Sequence, residues 1–159
     1  MSQPTLSRSQ GFHYEACGLD EIRLANGYEI HETAYGNAVA IDDVEGLHRA
    51  IARWLIRRPR VLNGAEFRYL RKELDLSQKE LAARLGATEQ QVFRWEKRRR
   101  ASVPGTADRL LRVLYDAHDD GNKSSCWLLE ELAYLDEVPA EPVTLEETPD
   151  AGWQVALAA

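Results

Sequence analysis

Residues 77–100 read SQKELAARLGATEQQVFRWEKRRR, and the spacing of their polar and apolar side chains decides how the rest of the chain is understood. Ser77 precedes Glu80 by three positions and Thr88 precedes Gln91 by three. In each pair a hydroxyl can cap a helix N-terminus while the carboxylate or amide reaches back to the capping residue. Leu81, Ala82 and Leu85 follow the first cap at helical spacing, and Val92 and Trp95 follow the second. Between them stands Leu85-Gly86-Ala87-Thr88, and a turn this short needs a residue that accepts positive φ, which Gly86 supplies. The stretch predicts two short helices joined by a tight turn.

The same signals recur on either side. Asn63 with Glu66 is a further capping box ahead of Phe67, Leu70 and Leu74, and Asp42 with Glu45 is another ahead of Val44, Leu47, Ile51, Trp54 and Leu55. The helix from Asp42 should end before Pro59, because the residue before a proline is pushed out of helical geometry. Another helix starts near Pro104 to Thr106, carries Leu110, Leu111, Val113, Leu114 and Tyr115, and stops at Asp119-Asp120-Gly121-Asn122. Ser124 or Ser125 opens a last one through Trp127, Leu128, Leu132 and Leu135. Upstream, Tyr35-Gly36-Asn37 provides turn chemistry between two β-favouring runs, which predicts a small hairpin. Downstream, Val143 with Leu145 and Trp153 with Val155 and Leu157 alternate around Pro149 to Gly152. That segment reads either as a second hairpin, able to pair with the first in one small sheet, or as an acidic disordered tail. The chain then divides into a polar, flexible tail over 1–12, a hairpin region over 13–41, a helical domain over 42–118, and an acidic segment over 119–159 with a helix and possible hairpin.

Charge is segregated along this order. Residues 49–100 hold 15 Lys and Arg against six acids, although the whole chain has formal net charge -6. Residues 1–48 hold two bases and eight acids, and residues 101–159 hold three bases and twelve acids. A basic stretch between acidic flanks points to a polyanion as partner of the middle segment. No apolar run approaches the roughly 18 residues of a membrane span, and the N-terminus lacks the layout of a signal peptide, so a cytoplasmic, nucleoid-associated protein is expected. Cys17 and Cys126 form no CxxC motif. The sequence contains no phosphate loop, GxSxG or HExxH, and no enzymatic activity is expected from it.

Two capped helices joined at Gly86 make a helix-turn-helix at 77–96, whose second helix is free to enter a major groove about 12 Å wide. The run SQKELAARLGATEQQVFRWEK, with its Ser-Gln, Leu-Ala, Leu-Gly and Arg-Trp-Glu landmarks in order, resembles the XRE family of Cro and phage-repressor type. That resemblance covers roughly residues 63–115 and implies a helical domain; with the hairpin signals on either side, the expected fold is mainly α, α+β overall, a five-helix XRE-type domain with small N- and C-terminal β-hairpins. A wider resemblance, through GYEIHETAYG, the helix from Asp42 and LLRVL at 110–114, is to the MqsA/YgiT-type antitoxin regulators, which repress transcription as dimers. Such proteins usually begin with a four-cysteine zinc module. Here Cys17 stands alone in the N-terminal region beside His13, His31 and His48, which cannot close a tetrahedral site, so neither zinc nor any other cofactor is expected.

The family pattern and side-chain chemistry together assign roles. With Val92 and Trp95 turned to the core, Glu89, Gln90, Gln91, Phe93 and Arg94 are left to face bases. Gln90 and Gln91 suit adenine N6 and N7, and Arg94 suits guanine O6 and N7. Gln91 has the second reading of a capping partner for Thr88, and Arg94 that of an ion pair with Glu89 or Glu96. Phe93 either presses on a thymine methyl or faces a dimer partner. Gln78, Thr88, Lys97, Arg98, Arg99 and Arg100 form the phosphate set, while Arg57, Arg58 and Arg60 are a solvated helix end or further phosphate contacts. The expected partner is an operator in double-stranded DNA bound by a homodimeric repressor. The alternative is an antitoxin-like module that binds and neutralises a toxin.

Overall fold

The computed structural model describes residues 11–121, 145–150 and 152–155. In chain order the elements are β1 (Phe12–His13), β2 (Arg23–Leu24), β3 (Tyr28–Thr33), β4 (Gly36–Ile41), α1 (Val44–Arg57), α2 (Gly64–Glu73), α3 (Gln78–Leu85), α4 (Glu89–Lys97), α5 (Gly105–Asp119), β5 (Leu145–Thr148) and β6 (Gly152–Val155). Among the described residues the architecture is five helices with small antiparallel hairpins, the α+β arrangement expected. The tail expected over 1–12 gives way to strand at Phe12, and the helix expected around Trp127 lies outside the described residues.

Each helix start traces to a named cap. Asn63 and Glu66 close a reciprocal box at α2, with both bonds at 2.9 Å, and Ser77 with Glu80 and Thr88 with Gln91 do the same at α3 and α4. The box expected at Asp42 and Glu45 is displaced by one residue: Asp43 caps α1, its Oδ1 accepting from Gly46 N at 2.9 Å. The cause lies in the preceding hairpin. Ile41 still pairs with Tyr28, and Asp42 N donates to Gly27 O, so Asp42 is spent closing the strand pair and the next acid becomes the cap.

The hairpins do not merge. β1–β2, β3–β4 and β5–β6 are three separate two-stranded sheets, in place of one small sheet. The β3–β4 turn is Ala34-Tyr35, with Gly36 (φ +113°) and Asn37 already in β4. β1–β2 leaves no mark in the sequence, because two-residue strands carry too little alternation to signal themselves. Its connecting segment nonetheless buries Tyr14, Leu19 and Ile22 in the helical core, and Phe12 stacks on Tyr28 at 4.9 Å.

Leu55, Leu62, Phe67, Leu70, Leu81, Val92 and Leu111 are sealed from solvent, so all five helices share one core. Val44, Trp54 and Val113, expected on apolar faces, are exposed. The connection from α1 to α2 is organised by a side chain of α5. Arg112, held by Asp108 at 3.0 Å, donates to the carbonyls of Leu55 and Ile56, which the end of α1 leaves without helical partners, and to those of Arg58 and Arg60 in the connection that follows. Asp108 also accepts from Leu62 N at 2.9 Å.

Candidate nucleic-acid interface

The turn between α3 and α4 depends on Gly86, which sits in the left-handed region (φ 63°, ψ 33°) while Ala87 N donates back to Ala82 O. The chain leaves α3 there and is recaptured one residue later by the Thr88 cap. Position and orientation of α4 are then set from behind. Val92 is fully buried, and Trp95 meets Phe67 edge-on with ring centroids 5.8 Å apart. Glu96 is buried too. Its carboxylate takes Arg71 Nε at 2.6 Å and Nη2 at 2.9 Å, and Oε2 also accepts from Gln78 Nε2 at 2.8 Å. Arg71 Nη1 reaches on to Leu76 O, so α2, the start of α3 and α4 are tied at one point.

A fourth constraint is steric. A Cβ on Gly64 would lie 2.2 Å from Trp95 O and 2.5 Å from Arg98 O, so only glycine lets the N-terminus of α2 approach the end of α4 this closely. Gly64 N and Ala65 N donate to Ala101 O and Arg99 O, which fixes the backbone of the arginine run.

With one side of α4 anchored by Val92 and Glu96, the opposite face carries Gln90, Arg94 and Lys97 at i, i+4 and i+7, all exposed. Arg94 has no ion pair with any described residue, since Glu96 is taken by Arg71. Glu89 lies exposed in the first turn, and Phe93 stands 49% exposed on the flank with Lys97 Nζ 5.9 Å from its ring centroid.

Other expected residues are engaged inside the protein. Gln91 Oε1 accepts from Thr88 N at 2.9 Å and Thr88 Oγ1 at 3.2 Å, so the acceptor needed for a two-bond adenine contact is occupied and the Thr88 hydroxyl is held. The side-chain amide of Gln78 points to Glu96. Arg98 is exposed and unpaired among the described residues, whereas Arg99 donates to Gly18 O at 3.0 Å and Asp20 Oδ1 at 3.3 Å. Arg100 approaches Asp20 Oδ2 at 3.8 Å. Arg58 and Arg60 both turn to the buried Glu66, at 2.6 and 3.1 Å, and Arg58 also lies over the Trp54 ring.

Sequence reasoning missed Asp20 and Arg71. Asp20 reads as one acid among several in a loop, and Arg71 as one more cation of the basic stretch; no local signal separates a buried guanidinium from a solvated one. It also passed over Arg68 and Lys72, which with Arg99 and Cys17 line a cavity of about 240 Å³ beside Glu96. Burial pushes the Cys17 thiol up from its ordinary value. Among the described residues no cluster of His, Cys, Asp or Glu is placed to hold a metal ion, and no helix is long and apolar enough to cross a membrane.

Residues 67–114 match a family model described as Helix-turn-helix. The chain matches no curated protein and no solved structure.

Proposed function

We propose that residues 67–114, which match a helix-turn-helix family model, bind DNA as an XRE-type domain, and that the protein is a dimeric transcriptional repressor that reads an operator through α4. The observation that carries this reading is the exposed row Gln90, Arg94 and Lys97 on a helix locked from behind by the Arg71–Glu96–Gln78 network. Side chains that read base edges must be long, polar and held in register, and this row meets all three conditions.

Gln90 offers a free amide for adenine and Arg94 a free fork for guanine, while Lys97 and Arg98 bracket the end of the helix for phosphate oxygens. The internal duties of Gln91, Thr88 and Gln78 support a narrower reading set, with Gln90 ahead of Gln91. A two-fold dimer would place two copies of α4 about 34 Å apart, one turn of duplex, and favour a pseudo-palindromic operator. Occupying a promoter, most simply the protein's own, would block transcription.

The test is a binding titration against the DNA upstream of the protein's own gene and against a scrambled duplex, at two salt concentrations. Preference for the upstream fragment that persists at the higher salt is expected. Equal binding that collapses with salt would leave only a basic surface. No DNA binding, with co-purification of a neighbouring gene product, would put the antitoxin-like alternative first.

A further inference from the structure

We infer that Phe93 reads the C5 methyl group of thymine, an inference that rests on α4 being the helix that enters the major groove. A singly exposed phenyl ring is ordinary on a protein surface; what distinguishes this one is its place. Phe93 lies three residues after Gln90 and four before Lys97, at the edge of the exposed row, and no described aromatic ring packs on it. Lys97 Nζ lies 5.9 Å from the ring centroid. The ammonium can remain near the ring while it reaches toward a phosphate, which leaves the rest of the ring open to contact.

The major groove presents donors, acceptors and a single apolar group, the thymine methyl. Gln90 and Arg94 address the donors and acceptors. The phenyl ring can make neither bond, and its one favourable partner in that groove is the methyl. Such a contact would distinguish T·A from C·G at a step where the polar side chains contribute little.

The experiment uses a duplex that the full-length protein itself selects from a random pool, prepared once with thymine and once with uracil at every thymine. The two duplexes differ only in C5 methyl groups. Binding of wild type should weaken on the uracil duplex by about fourfold per contacted methyl, the ~0.8 kcal/mol of one buried CH₂ converted at 1.4 kcal/mol per tenfold. Phe93→Ala should bind the thymine duplex less well and should not distinguish the two. Phe93→Leu, which keeps an apolar side chain, should retain part of the difference. If wild type ignores the exchange, or Phe93→Ala responds to it as fully as wild type, the inference is overturned. A Phe93→Ala protein that changes its oligomeric state yet keeps the full uracil penalty would assign the ring to a subunit contact and overturn it equally. Failure of wild type to enrich any sequence would instead remove the operator-reading premise, and Phe93 with it.

Discussion

Arg71 on α2 and Glu96 on α4 face each other across the core through two parallel hydrogen bonds of 2.6 and 2.9 Å, with both side chains largely out of solvent. Neither charge can be removed alone without leaving the other buried and uncompensated. Arg71→Ala is therefore expected to destabilise the fold by about 3–5 kcal/mol, far more than a surface arginine would. Chemical denaturation of the variant measures it, and a loss under about 1 kcal/mol would mean that the pair contributes little.

The two structural glycines should fail differently. Gly86→Ala places an L-residue in the left-handed region in open space, at a cost of about 1–2 kcal/mol. Gly64→Ala drives a methyl group to within 2.2 Å of the Trp95 carbonyl, so α2 and α4 must separate. The order of thermal midpoints should be wild type, Gly86→Ala, Gly64→Ala. The reverse order for the two variants would show that α2 and α4 have slack between them.

Alkaline pH should destabilise the protein through its buried tyrosines. Burial, reinforced by the negative charge of Glu73, raises the Tyr69 hydroxyl far above its ordinary value near 10; Tyr14 and Tyr115 are raised as well, chiefly by burial. In the unfolded chain these groups ionise from about pH 10 while the native state still holds its protons. The stability they confer is complete below that pH and declines above it, by about 1.4 kcal/mol per pH unit for Tyr69 alone until its folded value is reached. Tyr69→Phe should flatten this decline and lose about 1 kcal/mol at neutral pH with the bond to His48 O. Denaturation curves at pH 7, 10 and 11 suffice, and an identical alkaline slope in the variant would exclude Tyr69 as its source.

Asp20 occupies Arg99 and Arg100 with a carboxylate that DNA would have to displace by phosphate. Asp20→Asn should tighten binding to any duplex by severalfold and make the salt dependence steeper by about one to two counterions. Unchanged affinity and slope would show that the arginine pair does not touch DNA.

Arg94→Ala and Arg98→Ala separate reading from holding. The first should lose about 1–3 kcal/mol of discrimination at one base pair, and the second should weaken all sequences alike while lowering the salt slope by about one. Operator variants titrated at several salt concentrations distinguish them; interchanged behaviour would reverse the two roles.

What could be read in advance was local. The boxes at Asn63, Ser77 and Thr88 close as their spacing implies, and Gly86 turns where the Leu-Gly step says it must, because each depends on residues within one helical turn. Asp42 shows the limit of that reasoning: two adjacent acids both suit a cap, and the choice is made by a hairpin that ends against Gly27. Arg71 and Glu96 lie 25 positions apart, and Asp20 and Arg99 lie 79 apart. Pairings at that distance follow from how the elements pack, and a count of charges along the chain assigns all of them to the surface.

Arg112 also determines how the molecule comes apart. By gathering carbonyls from the end of α1 and the connection beyond it, a residue of α5 stitches segments more than fifty positions apart into one cooperative unit. A fragment trimmed to the matched region would keep Arg112 and Asp108 but strip both of their partners at residues 55–62. The helix-turn-helix and the α1 segment should therefore exchange their slowest amide hydrogens at a common rate, as one melting body.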